Sequence, residues 1–271
     1  MQNAMVKCGL TESNKGNYTD DSPIDAFVWY EQNWKHDDYN HVHARAQLSF
    51  VAEGYQYFHI DNRIYLVPQN HVIWIPSNLL HKTSTEAPVV DLMIILFKEV
   101  PTADFFEKVH IFAAPTVLKE MLWHASKWSQ NTMENEEQSN FLRAILTSLP
   151  SFCSDNTSLQ IPVPADERLL PLCAYINTNY KYTLDIEVMA DKVNMSKRHL
   201  QRTFKQETGI TLQKYIQLIR ILKSMEFIGM GRYTLTEIAF MVGYNSLSAF
   251  TNSYKAITKT KANVARRHIL G

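Results

Sequence analysis

Two groups of residues in this 271-residue chain are equipped for chemistry. The first is histidine. Six of the ten histidines lie between positions 36 and 81: His36, His41, His43, His59, His71 and His81. Imidazole ligates transition metals and changes charge near neutral pH, so this segment is a candidate for recognising a metal or a small molecule. The second group is basic and polar. Lys197, Arg198, Gln201, Arg202 and Lys205 fall in one stretch, and Ser248, Thr251, Asn252 and Lys255 in another. Side chains of these types bond phosphate oxygens and base edges.

The elements that must present the second group repeat. Ala190, Val193, Asn194, Met195, Ser196, Leu200 and Phe204 can be laid over Ala239, Val242, Gly243, Tyr244, Ser246, Phe250 and Tyr254, with one extra residue in the second turn. A small Ala lets two helices cross closely. Asn or Gly takes a left-handed turn at little cost. Ser196 and Ser246 stand where a helix N-cap belongs, and the apolar pair four residues apart anchors the second helix to a core. This is the pattern of a helix-turn-helix. The competing structural reading is a helical bundle with a solvated basic face. Two copies in register favour nucleic acid.

Charge points the same way. Residues 1–167 hold 11 Lys+Arg and 21 Asp+Glu, a net of −10, and residues 168–271 hold 16 and 6, a net of +10. The balance of zero for the whole chain conceals this division. A polyanion such as DNA is the natural partner for the basic part, although a basic domain docked on an acidic neighbour has the same charge.

Residues Asp166–Ile269 resemble the AraC/XylS family of bacterial transcription regulators. The likeness rests on Ser196-Lys-Arg-His-Leu-Gln-Arg-Thr-Phe-Lys-Gln-Glu-Thr-Gly209-Ile-Thr-Leu-Gln-Lys-Tyr215 with Ile219-Arg220, and on Thr236-Glu-Ile-Ala-Phe-Met-Val-Gly-Tyr244 with Phe250. It implies two helix-turn-helix units joined by a long helix, about Leu212–Ile228, with recognition helices in successive major grooves. Double-stranded promoter DNA and RNA polymerase are the implied partners. The sequence departs from the family in two places. Thr258-Lys-Thr-Lys-Ala262 replaces a Gly-x-Ser-Pro turn, and Lys223-Ser224 replaces Arg-Ala.

The N-terminal part reads as strands. Ala26–Tyr30, Gln47–Val51, Tyr55–Ile60, Arg63–Val67, His71–Ile75 and Val89–Phe97 are short β-branched and aromatic runs, with hairpin turns expected at Glu53-Gly54 and Asp61-Asn62. They predict a small antiparallel barrel or sandwich. Helices are expected over Thr102–Trp128 and Glu134–Leu149. The resulting order is a polar arm (1–22), a barrel (23–100), helices (101–149), a linker (150–165) and a basic helical domain (166–271). The fold class is therefore multidomain α+β.

His41-Val-His43-Ala-Arg-Ala-Gln47 followed by Gly54, and Asn70 followed by Pro76-Ser-Asn78-Leu-Leu-His81, are similar in spacing to the two cupin motifs. Gln stands where cupins usually have Glu, and Asn replaces both glycines of the second motif. The resemblance implies a cupin-like barrel with His41, His43, Gln47 and His81 at the position of a metal. Three imidazoles suit Zn, Fe, Ni or Cu, whereas neutral Gln does not offset the ion's charge. No cofactor is required by these motifs. A divalent transition metal and an organic effector bonded by the same side chains both remain open. All five tryptophans lie in this half. Each is expected in the barrel core, or lining a small-molecule pocket.

The leading reading is a cytoplasmic DNA-binding regulator, not an enzyme, whose N-terminal domain senses a small molecule or metal. One alternative is a cupin-fold metalloenzyme with an appended helical domain. Another is an architectural nucleic-acid-binding protein whose N-terminal domain only dimerises it. The helices of 101–149 either form homodimer contacts, as the resemblance implies, or cover the barrel. No apolar stretch is long enough to span a bilayer, no signal peptide is visible, and three widely spaced cysteines fit a reducing compartment.

Overall fold

The structure is a computed structural model that describes residues 6–7, 23–34, 40–61, 63–153 and 159–265. The chain divides into two compact units, Met1–Asp61 with Val67–Thr157 and Asn62–Leu66 with Ser158–Gly271.

Eleven strands are seen among the described residues: β1 (Val6–Lys7), β2 (Ala26–Glu31), β3 (His41–Val42), β4 (Ala46–Glu53), β5 (Tyr55–Ile60), β6 (Arg63–Pro68), β7 (His71–Ile75), β8 (His81–Ser84), β9 (Asp91–Phe97), β10 (His110–Ala113) and β11 (Gln160–Pro162). They form a six-stranded sheet, β1-β3-β8-β5-β6-β11, and a five-stranded sheet, β10-β7-β4-β9-β2. This is the β-rich domain that the strand pattern predicts, with the cupin-like architecture that the resemblance implies.

Strand β4 explains the layering. Ala46, Leu48 and Phe50 on one face join Val72, Trp74, Met93, Ile95 and Phe97 in a core closed by Leu118, Leu122, Leu142, Ile145 and Leu149. Those last residues belong to α1 (Thr116–Ala125) and α2 (Glu136–Phe152). The alternate residues Gln47 and Ser49 point to the opposite face and are also buried, as the two-residue period of a strand requires. The helices thus cover one face of a sheet, and β4 carries its polar residues on the other.

Three expectations are corrected here. The helix predicted over Thr102–Trp128 begins only at Thr116. Before it, β10 pairs antiparallel with β7, Ile111 opposite Ile73. Pro101 and Pro115 bracket that stretch, and the sheet edge satisfies its backbone better than a helix would. Second, Glu53-Gly54 is not a hairpin turn, because β4 and β5 lie in different sheets. Gly54 is left-handed (φ +77°) at that corner, and a Cβ there would lie 2.2 Å from the Val89 carbonyl oxygen. Third, within the stretch expected as a linker, α2 continues through Pro150 to Phe152, and β11 pairs with β6, Ile161 opposite Ile64. Of the remaining turn and arm expectations, Asp61 has φ +51°, whereas Asn62 and most of the polar arm lie outside the described residues.

The second unit is helical: α3 (Leu170–Asn179), α4 (Ile186–Asp191), α5 (Lys197–Thr208), α6 (Leu212–Gly229), α7 (Leu235–Met241) and α8 (Leu247–Thr258). Its core centres on Leu200, Phe204, Ile221, Ile238, Ala239, Val242 and Phe250, all buried. Helix α6 is the expected long connector. Arg220 on it donates to the Tyr180 and Tyr182 carbonyls at 2.8 and 3.0 Å, which fixes the turn between α3 and α4. In the Lys223-Ser224 departure, Ser224 is buried and donates to the Ile221 carbonyl at 2.6 Å, and Lys223 pairs with Glu226 at 2.9 Å.

The other departure has a defined solution. In the first unit of the repeat, Gly209 ends α5 with φ +75°, and Thr208 Oγ1 donates to the Phe204 carbonyl at 2.7 Å. In the second, Lys259 ends α8 with φ +60°, and Thr258 Oγ1 donates to the Tyr254 carbonyl at 2.9 Å. The turn is the same, but a residue with a Cβ occupies the left-handed position at a cost of about 1–2 kcal/mol. Lys259→Gly removes that cost while adding unfolded-state entropy. It should raise the stability of this unit by about 0.5–1 kcal/mol, roughly 3–6 °C in melting temperature. Calorimetry of the full chain checks it, and a lower melting temperature would contradict the strain.

Candidate sensor pocket and nucleic-acid interface

The two cupin-like motifs converge. His41 on β3 is the register partner of His81 on β8. His43 follows β3, and Gln47 lies on β4 of the other sheet. Two corners within these motifs need left-handed residues. Asn70 and Asn78 have φ +61° and +60°, so asparagine makes the turns where the cupin pattern has glycine. All four side chains are buried, with His81 only 1 % exposed. The ring centroids of His41 and His81 are 4.3 Å apart, and those of His43 and His81 5.2 Å. One ring nitrogen from each of the three histidines lies within 4.8 Å of the others.

The hydrogen bonds orient the rings. His81 Nδ1 lies 2.8 Å from the Leu79 carbonyl and His43 Nδ1 2.6 Å from the Arg45 carbonyl. A carbonyl only accepts, so both Nδ1 atoms carry a proton, and on a neutral ring Nε2 then presents a lone pair. This is how histidine ligands are usually held. His81 Nε2 is buried with no hydrogen-bond partner. His43 Nε2 lies 3.0 Å from Gln47 Oε1, which is two acceptors face to face when that ring is neutral. Gln47 Nε2 donates to Ser49 Oγ at 2.8 Å. Burial, and next the charge of His41, hold the His81 imidazole down to a pKa of about 3, so the ring is neutral at physiological pH. Nearby, buried Arg45 donates to the Ile24 and Asp25 carbonyls. Sequence reasoning missed Arg45, Ser49 and the two carbonyls, because none is marked by a residue type that implies a role.

The tryptophans mostly take packing roles. Trp29, Trp74 and Trp128 are buried in the apolar cores. Trp34 packs edge-on against Trp29, and Trp123 against Tyr30, each at 5.4 Å.

In the basic unit, α4–α5 and α7–α8 form two helix-turn-helix units. Asn194 and Gly243 are left-handed, with φ +51° and +88°. Met195 N–H and Tyr244 N–H donate to the Ala190 and Ala239 carbonyls at 3.1 and 2.9 Å, closing equivalent turns. Ser196 Oγ accepts from His199 N–H at 3.3 Å and Ser246 Oγ from Ala249 N–H at 3.2 Å, so both serines cap as expected. Leu200, Phe204, Phe250 and Tyr254 are buried.

The opposite faces are open. Arg198, Gln201, Arg202 and Lys205 are exposed on α5, as are Ser248, Asn252 and Lys255 on α8; Thr251 is half-buried and donates to the Ser248 carbonyl at 3.1 Å. Lys197 is exposed and paired with Glu187. An exposed pair of this kind is weak, so a phosphate can displace the carboxylate.

A family model described as an AraC-like ligand binding domain matches residues 23–149, and one described as a helix-turn-helix domain matches residues 189–268. The HTH-type transcriptional activator RhaS of Escherichia coli (strain SMS-3-5 / SECEC) is 26% identical over 141 residues, 52% of this chain and 51% of RhaS. The chain spans about half the length of the curated relatives it matches. Among solved structures, ToxT from Vibrio cholerae is 12% identical, covering 92% of this chain and 100% of that one at a TM-score of 0.39. The C-terminal domain of AraT, a response regulator from Geobacillus stearothermophilus, is 28% identical over 38% of this chain and 86% of that one, at a TM-score of 0.36. With its ligand-binding and helix-turn-helix regions matched in sequence and formed in the structure, the chain belongs to the AraC family of transcription regulators.

Proposed function

We propose that the chain binds promoter DNA through α5 and α8 and regulates transcription in response to occupancy of the histidine pocket. The observation that carries this reading is the pair of equivalent helix-turn-helix units, each presenting a polar or basic face opposite a buried apolar pair. Successive major grooves on one side of the duplex are the docking site. RNA polymerase and a second copy of the chain are the proposed protein partners, and the cytoplasm is the place of action. No helix among the described residues is long and apolar enough to cross a membrane. No catalytic step is assigned.

For the pocket we favour a divalent transition metal. His43 Nε2 and Gln47 Oε1 conflict as two acceptors 3.0 Å apart. A doubly protonated His43 or a turned Gln47 amide would relieve that pair alone. A cation relieves it and also gives His81 Nε2 a partner. Nitrogens bound to one tetrahedral ion at about 2.1 Å lie about 3.4 Å apart, so the set, within 4.8 Å, would close by up to about 1.4 Å around the ion. His41, His43 and His81 would hold the ion, with Gln47 as a fourth, neutral ligand. The metal would supply a fixed positive charge to which a small anion could bind. Footprinting of DNA upstream of the chain's own gene and its neighbours tests the DNA half of the proposal. Elemental analysis of protein purified without an affinity tag tests the other half. About one metal per chain, lost in a His41→Ala/His43→Ala variant, is expected. Retention of the metal by that variant would overturn the site.

A further inference from the structure

The two recognition helices share one frame and fill it differently. Counting from the capping serines, Leu200 and Phe250 stand at the same position, as do Phe204 and Tyr254, and all four are buried. This fixes the rotation of each helix about its axis. At roughly 100° per residue, Arg202 and Asn252 lie about opposite the midpoint of the buried pair, and both are exposed. Arg198 and Ser248 flank them on the same face, as do Lys205 and Lys255. Equivalent positions therefore read Arg-Arg-Lys on α5 and Ser-Asn-Lys on α8.

These side chains do not recognise the same bases. The guanidinium fork matches the O6 and N7 acceptors of guanine. The asparagine amide, one donor and one acceptor, matches N6 and N7 of adenine. Ser248 offers a short hydroxyl that either purine accepts, so discrimination on α8 falls to Asn252. The charge difference adds to this. Beside Arg202, the α5 stripe keeps two further cations, Arg198 and Lys205, for phosphates, whereas Lys255 stands alone on the α8 stripe.

We propose that one side chain sets the base each helix selects: Arg202 reads guanine from α5, and Asn252 reads adenine from α8, about one helical turn away. The inference rests on the DNA-binding reading above and names the sequence that reading would select.

The test is selection of the full chain on a randomised double-stranded DNA library, repeated with Arg202→Ala, Asn252→Ala and Asn252→Arg. All three substitutions are at exposed positions, and circular dichroism verifies that the variants fold. The wild-type chain should enrich two short motifs 10–10.5 base pairs apart. Arg202→Ala should lose preference for one guanine, by roughly 5- to 150-fold. Asn252→Ala should lose preference for one adenine in the other motif, and Asn252→Arg should change that adenine to guanine. Guanine selected opposite both helices, or an adenine indifferent to Asn252, would overturn the inference and leave the DNA-binding reading standing. If no sequence is enriched at all, the reading itself fails, and the inference with it.

Discussion

Raising the salt concentration from 50 to 200 mM should weaken the full chain's binding to its promoter by roughly 40- to 500-fold. The range follows from five exposed cations of the two recognition helices: Lys197, Arg198, Arg202, Lys205 and Lys255. Each phosphate neutralised releases counterions and adds about −0.9 to the slope of log affinity against log salt. If all five side chains meet phosphates, the slope is about −4.5. If Arg198 and Arg202 read bases instead, three phosphate contacts leave about −2.7. Fluorescence anisotropy over a salt series measures the slope. A loss of less than about fivefold would mean that the basic face does not meet DNA. In that case the net charge of +10 in residues 168–271 would need another partner, for which the acidic first 167 residues are available.

The histidine pocket should make the N-terminal unit sensitive to acid. His81 is neutral in the folded chain down to a pKa of about 3, because burial and the neighbouring His41 and His43 oppose its charging. In the unfolded chain it takes a proton near pH 6.5. Between those values the unfolded state binds a proton that the native state does not. The stabilising contribution is therefore complete above about pH 6.5 and is lost as the pH falls towards 3. One proton corresponds to about 1.4 kcal/mol per pH unit, so about 2–3 kcal/mol should be gone by pH 4.5. Burial lowers His71 in the same direction, so the fall should not be wholly due to His81. Urea unfolding of chelator-treated protein, followed by tryptophan fluorescence, reports this unit because all five tryptophans lie in residues 1–167. His81→Gln should flatten the decline between pH 6.5 and 4.5. Equal slopes for the variant and the wild-type chain would show that His81 is charged in the native state.

What was legible in the sequence follows from how local each signal is. The helix-turn-helix units depend on left-handed Asn194 and Gly243, capping Ser196 and Ser246, and an apolar pair four residues on. All of these lie within about twenty residues, so both units could be placed from sequence. The asparagine-for-glycine exchanges at positions 70 and 78 were legible for the same reason, since a left-handed turn is a property of one residue. Strand β10 was not legible. Its four residues show no alternation long enough to read, and only pairing with β7 makes them a strand. Gly54 shows a related limit. Its local signal reveals a positive φ, but not that the next strand joins the other sheet. The convergence of His41, His43, Gln47 and His81 was implied by motif spacing. The facing acceptors of His43 and Gln47 were not, because they depend on which ring nitrogen the Arg45 carbonyl engages.

In the proposed mechanism α5 and α8 dock together on promoter DNA under control of the histidine pocket. The most direct measurement is footprinting of the full chain on the DNA upstream of its own gene, with metal-loaded and chelator-treated protein. Two protected segments are expected, their centres about one helical turn, ~34 Å, apart on one face of the duplex, with occupancy that differs between the two preparations. A single short protected segment would contradict two-groove docking. Identical protection by both preparations would contradict control by the metal.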